Sequence, residues 1–146
     1  MTMHRRPVPR SRFLAAVGAV IAIVGCALPW WTVGGADGLP LRSGNAFASY
    51  GILVFAASIA TLALVTLPFA SERPVSVDRW PAYAVLAAVG WLGFGARILD
   101  LFLLRAFSFD QPLDALTRIP GLWIALVGLA VLARATFEMA REPRLR

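Results

Sequence analysis

The sequence predicts an all-α fold: one integral membrane domain over residues 1–146, folded as an antiparallel four-helix bundle with short loops. Three observations carry that expectation. Hydrophobic residues make up 59% of the 146 and charged residues only 15%, against roughly 45–50% and 25% in soluble domains. Mean hydropathy is +0.72, an apolar excess that so small a domain has too little interior to hide from water. The apolar residues fall in four runs, each long enough to cross the ~30 Å of hydrocarbon that takes about 17–25 helical residues. None of the runs alternates with a period of two, and a backbone in lipid must satisfy its own polar groups, so each run is expected to be a helix.

A basic tail over residues 1–12 precedes the first span, 13–31, which runs from Phe13 to Trp31. The outer loop over 32–45 holds Gly34, Gly35, Gly38, Pro40 and Gly44, which predict turns around a small hairpin. The second span covers 46–69, with Asn45 as its N-cap and Pro68 near its close. An inner loop over 70–80, with a polar turn at Pro74, leads to the third span, 81–104, which opens on Pro81, a favoured first-turn residue. The second outer loop, 105–119, has room for one amphipathic turn around Pro112 to Leu116. The fourth span, 120–140, starts at Pro120, carries Arg134 and Glu138 in its last turns, and passes into a tail over 141–146. No internal repeat relates the two helical hairpins, which leaves a transporter built from inverted halves without support.

The formal charge is +6, and all 14 basic residues are arginine. They flank the apolar runs instead of forming a soluble basic face, so nucleic acid is not an expected partner. Arginine without lysine, beside abundant Ala, Gly and Pro, fits a GC-rich bacterial genome. Arg5, Arg6, Arg10 and Arg12 in the first tail, Arg73 and Arg79 in the inner loop, and Arg134, Arg141, Arg144 and Arg146 at the far end all fall on one side. The other side has Arg42, Arg105 and Arg118, balanced by Asp37, Asp110 and Asp114. The positive-inside rule then predicts a multi-pass protein of the plasma membrane with both termini in the cytoplasm. Trp30, Trp31, Tyr50 and Trp123 at the outer interface, with Trp80 and Tyr83 at the inner one, give the same topology. The expected partners are the bilayer, anionic lipid headgroups on the cytoplasmic side at about 1 kcal/mol per basic residue, and other membrane subunits or a second copy.

Arg97 and Asp100 lie three residues apart on one helical face. Ionisable groups within a span are costly enough to mark either a functional site or a structural ion pair. If the span ends near Ala96, both sit at the outer headgroups; if it continues to Leu104, Arg97 lies about 7 Å outward of the midpoint at 1.5 Å per residue, within snorkelling reach of the interface. Gly90 and Gly93 share their stripe, which is expected to face another helix. Small residues recur at four-residue spacing: Gly18, Ala22 and Cys26 in the first span, Ala56 and Ala60 in the second, Ala84 and Ala88 in the third, Gly121 and Ala125 in the fourth. Such stripes let helices approach closely in lipid, within the bundle or at a seam between copies.

The one histidine, His4, is in the tail, and Cys26 is the one cysteine. A histidine metal site, a Ser-His or Cys-His dyad, an intramolecular disulfide and a multi-cysteine zinc site are all outside the reach of this composition. There is also no P-loop, Gly-x-Ser-x-Gly elbow or His-Glu-x-x-His. No enzymatic activity, cofactor or metal is expected. A transporter or channel needs polar groups along a path through the membrane. The middle of the second span offers Ser58 and Thr61, residue types that bond back to their own helix, and the first and fourth offer nothing ionisable. Small four-helix multidrug exporters carry a membrane-embedded acidic residue in the first span, and this first span has none. The reading that follows is a non-catalytic accessory or scaffold subunit, or a homo-oligomer, packing through small-residue faces. Its alternative is a small transporter or channel working through Arg97 and Asp100.

Leu28-Pro29-Trp30-Trp31 at the outer end of the first span, with both chain ends inside, resembles the claudin-like tetraspan arrangement. The likeness covers four residues and a topology. The long first outer segment and its cysteine pair are missing, so the resemblance implies an order of spans and no function. Ile23-Val24-Gly25-Cys26 behind a basic leader is similar to a bacterial lipoprotein signal, whose cleavage would leave a lipid-modified Cys26 and three spans. The apolar run continues past Cys26 to Trp31, as an uncleaved span requires. Intact-mass measurement is expected to give an unmodified chain starting at Met1; the mass of a lipidated chain starting at Cys26 would replace four spans with three.

Overall fold

Proline and glycine set the ends of the elements across residues 9–35, 40–70, 80–104 and 114–142, the parts of the chain that the computed structural model describes. Helix α1 spans Arg10–Ala27 and stops where Pro29 holds Leu28 in an extended conformation (φ −84°, ψ 162°). The first span is therefore shorter than its apolar run, and Trp31 belongs to a strand. That strand, β1 (Trp31–Val33), pairs antiparallel with β2 (Arg42–Gly44), with Trp31 opposite Gly44, Thr32 opposite Ser43 and Val33 opposite Arg42. Gly34 and Gly35, at φ 88° and 85°, turn the chain out of β1 in a conformation that side-chain-bearing residues avoid.

Asn45 is a cap, but not of the second span. Its side chain accepts from the Phe47 amide at 3.2 Å and closes a 3-10 turn, Ala46–Ala48. Helix α2 follows at Ile52–Ala70, six residues later than the apolar run begins, with Pro68 so near its end that little of the hydrogen-bond ladder is lost. Helix α3 is Trp80–Leu103, α4 is the short Asp114–Arg118, and α5 is Pro120–Arg141 with Pro120 in its first turn. His4, Arg5, Arg6, Asp37, Gly38, Arg73, Pro74, Arg79, Arg105, Asp110, Pro112, Arg144 and Arg146, which the sequence reading places in tails and loops, lie outside the described residues.

Helices α1, α2, α3 and α5 are each long and apolar enough to cross a membrane. At 1.5 Å per residue they measure about 27, 28, 36 and 33 Å, close to the thickness of a hydrocarbon core. They form an all-α four-helix bundle in which α1 packs on α2 and α5, and α3 on α2 and α5. Sequence neighbours are antiparallel, and so are α1 and α5. Ser11 at the start of α1 donates to Glu142 just past the end of α5 (2.6 Å), while at the opposite end the Gly121 amide donates to the Pro29 carbonyl (3.0 Å). One end of the bundle thus gathers Arg10, Arg12, Arg134 and Arg141, and the other carries the β-hairpin. Outside, Leu92, Phe102 and Leu103 are 72%, 70% and 72% exposed, bulky apolar surface that suits lipid and not water.

The closest contact in the bundle is between α1 and α5, and glycine makes it. A Cβ on Gly18 would lie 2.7 Å from the Leu132 nitrogen and 2.9 Å from the Gly128 oxygen. On Gly121 it would lie 2.5 Å from the Leu28 oxygen and 2.7 Å from that of Gly25, and on Gly25 or Gly128 it would overlap the backbone of Ala125 or Ala22. Ala22, Cys26 and Ala125 complete a seam that is wholly buried. Backbones in direct contact gain dispersion over many atoms, the attraction that remains between helices when lipid is as apolar as their side chains.

Above this seam Trp30 turns inward. It is fully buried, donates its indole N–H to the Gly25 carbonyl at 2.9 Å, and meets Phe94 of α3 edge to face with ring centroids 5.4 Å apart. Two members of the expected interfacial belts therefore belong to the interior, since Tyr83 is buried as well. Trp31, half-buried, and the exposed Tyr50, Trp80 and Trp123 remain on the outside. The extended turn at Leu28 and Pro29 swings Trp30 over the end of α1, where its ring covers the apolar end of the core and its N–H finds a free helix-terminal carbonyl.

Glycines should thus differ sharply by position. Gly128→Leu, which drives a branched side chain into α1, is expected to cost about 1–3 kcal/mol or more. Gly95→Ala, at an exposed site on α3 with nothing within 4 Å, is expected to be neutral or to stabilise by up to about 1 kcal/mol. Thermal unfolding of the two variants in the same detergent measures both.

Candidate functional site

Along α3 the buried positions are Tyr83, Ala87, Gly90, Gly93, Phe94, Arg97 and Leu101, a stripe recurring every three or four residues. Arg97 is on it, so its guanidinium points into the bundle among α3's neighbours, with the residue only 4% exposed. Gly90 and Gly93 let α2 come close below it. A Cβ on Gly93 would lie 3.0 Å from the Tyr50 oxygen, and one on Gly90 would lie 3.6 Å from Ala57 and 2.9 Å from Leu129 of α5.

One turn on, Asp100 completes the pair. Its Oδ2 accepts from Arg97 Nη1 at 2.5 Å and also from the Ser49 hydroxyl at 3.2 Å. Ser49 precedes α2, so the carboxylate ties the hairpin end of α3 to the start of α2. The Asp100 side chain is 31% exposed against 5% for Arg97; the carboxylate is the side of the pair that reaches the surface. Arg97 Nε is buried and has no acceptor. Among the described residues the cluster holds one cation and one anion, a neutral ion pair with the Nε donor buried and unused. A hydrogen bond to a charged group contributes roughly 1.5–3 kcal/mol, while the desolvation of Arg97 opposes much of the Coulomb gain.

The other expected positions divide by face. Gly18, Ala22 and Cys26 of α1 and Gly121 and Ala125 of α5 are buried together in one seam. Ala60 and Ala84 are half-buried. Ala56 and Ala88 are exposed, and their neighbours Ala57 and Ala87 are buried in their place: the helix faces of α2 and α3 are rotated by one residue from the alanine stripes. In so alanine-rich a chain the spacing of small residues alone does not choose between the two faces; the bulky Val54, Val65, Tyr83 and Phe94, buried on the same sides as Ala57 and Ala87, do. Ser49 and Trp30 are the two partners that sequence reasoning missed. A serine just before a helix signals a cap, not a carboxylate ligand fifty-one residues away.

At the hairpin end a shallow, open groove of about 390 Å³ runs between β1, β2 and the α4–α5 junction, lined by Pro29, Thr32, Ser43, Leu41, Arg118 and Pro120 among others. The Thr32 hydroxyl is already committed to the Arg118 carbonyl at 2.7 Å. Among the described residues no group of three or more His, Cys, Asp and Glu side chains comes together as a metal site would require.

Fold and site together define a four-helix bundle consistent with a multi-pass membrane protein, with the part-buried Arg97–Asp100 ion pair near the hairpin end. No family model, curated protein or solved structure matches the chain.

Removing half of the pair should hurt more than removing all of it. Asp100→Asn is expected to cost about 1.5–3 kcal/mol, since it leaves a buried guanidinium without its anion. The double variant Arg97→Met with Asp100→Leu is expected to unfold near the temperature of the parent, because apolar side chains replace the pair without an unpaired charge. Melting curves followed by tryptophan fluorescence in detergent read both.

Proposed function

We propose that this is a small polytopic protein of the plasma membrane, both termini cytoplasmic, acting without catalysis as an accessory or scaffold subunit or as a homo-oligomer. The observation that carries the reading is an apolar interior. The buried hydroxyls of Ser58, Thr61 and Thr136 each donate to a carbonyl one turn back in their own helix, at 2.7, 2.8 and 2.9 Å, which leaves them no proton to donate to a solute. Around them the described core is mostly alanine, leucine, valine and aromatic side chains, and the buried polar side chains among the described residues do not line the continuous path that conduction needs.

The small-residue seam of α1 and α5 is spent within the chain. Contacts to a partner or a second copy therefore fall to the faces left outside, where Ala56 of α2 and Ala88 and Gly95 of α3 are exposed. Segregation of Arg10, Arg12, Arg134 and Arg141 at one end supports a cytoplasmic placement of that end. A transporter or channel is the second reading, and one observation favours it: the buried Arg97 Nε without an acceptor, beside a carboxylate that reaches the surface.

Native mass spectrometry of the protein extracted gently from its own membrane separates these. An accessory role predicts a defined complex with other chains, and a scaffold of one component predicts a homo-oligomer. A lone monomer, together with a solute flux that Arg97→Gln and Asp100→Asn abolish without unfolding the bundle, would favour the transporter.

A further inference from the structure

The outward face of α5 carries charge where a membrane span should have none. Trp123, Val127, Ala130, Arg134, Phe137 and Arg141 recur at three- and four-residue intervals and all are exposed, so they form one face. Arg134 is seven residues, about 10 Å, short of the end of α5. That end is level with the start of α1, where Ser11 meets Glu142. The Arg134 side chain is 75% exposed, so no other part of the bundle shields it, and its one partner among the described residues is Glu138, which accepts from Nε at 3.1 Å. Toward the end of the helix Arg141 lies with its guanidinium 4.0 Å above the centre of the Phe137 ring, a stacked geometry that holds the cation back along the face toward Arg134.

We infer that this face of α5 seats an anionic phospholipid of the leaflet at the arginine end, its headgroup phosphate held by Arg134 and Arg141 and its acyl chains lying along Ala130 and Val127. The inference rests on the membrane-spanning reading given above. Charge complementarity selects the occupant. An uncovered arginine at this depth is costly in hydrocarbon and draws headgroups and water to itself. Two guanidinium groups against one carboxylate leave the face net positive. Phosphate oxygens fit the planar donor fork of arginine, and Ala130 and Val127, which continue the face from Arg134 toward the bilayer centre, suit acyl chains.

The test uses the full chain in nanodiscs of phosphatidylcholine with phosphatidylglycerol, released for native mass spectrometry so that retained lipids are counted. The parent is expected to keep one phosphatidylglycerol in preference to phosphatidylcholine. Arg134→Gln should lower that retention about fivefold and the double variant Arg134→Gln with Arg141→Gln about twentyfold, whereas Arg10→Gln, at the same end but off this face, should change it less than about twofold. Far-UV circular dichroism confirms that the variants stay helical, as exposed substitutions should. Equal retention of both lipids, no loss in Arg134→Gln, or equal loss in Arg10→Gln would overturn the site. So would a partner chain in the native complex that Arg134→Gln releases, which would assign the face to a partner's carboxylate and leave the membrane reading standing. A parent that fails to float with vesicles of the same lipids would instead overturn the membrane reading itself, and this site with it.

Discussion

Backbone contact between α1 and α5 is the constraint from which the rest of this bundle follows. Gly18 and Gly25 on one helix and Gly121 and Gly128 on the other leave only small side chains in the seam, and the space a Cβ would need at these glycines is taken chiefly by main-chain atoms of the partner. Between lipid-embedded helices there is no hydrophobic drive, so dispersion between close surfaces has to supply the attraction. Once α1 and α5 are locked in antiparallel register, the start of one and the end of the other are level, and the hydrogen bond from Ser11 to Glu142 and that from Gly121 to Pro29 close the two ends.

The hairpin end is built on that register. Because α1 ends at Ala27 and the chain turns at Pro29, Trp30 is delivered above the seam, where the carbonyl of Gly25 takes its N–H and Phe94 takes its ring. The Trp30 amide in turn donates to the Gly44 carbonyl at 2.8 Å, and the ring of Trp31 lies where a Cβ of Gly44 would be. A single tryptophan thus joins the end of α1, the small sheet and α3. Arg97 is three residues beyond Phe94 on the same buried stripe and pairs with Asp100, whose carboxylate also accepts from Ser49 and so fixes the start of α2 to α3 at this end. The apolar middle of the bundle, with hydroxyls that bond only to their own helices, separates this pair from the arginine end.

The two ends also differ in what they offer to their surroundings. Near the hairpin Arg97 and Asp100 are paired, with the guanidinium buried, and an open groove lies beside Arg118. At the other end Arg134 and Arg141 stand on the outside of α5 with a phenylalanine between them. With an apolar core between the two ends, these outward faces are the ones whose chemistry is distinctive.

Four helices, their order and their alternation were legible in the sequence because length and hydropathy answer to one physical quantity, the thickness of a hydrocarbon layer. The hairpin was legible in its glycines, and the shared face of Arg97 and Asp100 in their spacing. What each helix turns toward its neighbours was not. Alanine at four-residue intervals pointed to Ala56 and Ala88, and the bundle buries Ala57 and Ala87, because small residues permit close approach on any face while the large side chains decide which face has volume to fill. The same held for Trp30 and Tyr83, apolar bodies with polar tips that suit an interface or a core equally well until a carbonyl such as that of Gly25 is put within reach. Sequence determined four helices long and apolar enough to cross a membrane, since length and hydropathy are properties of segments. Only the tertiary structure decided the α1–α5 register, the burial of Arg97 and its bond through Asp100 to Ser49, because those depend on how residues distant in the chain meet in space.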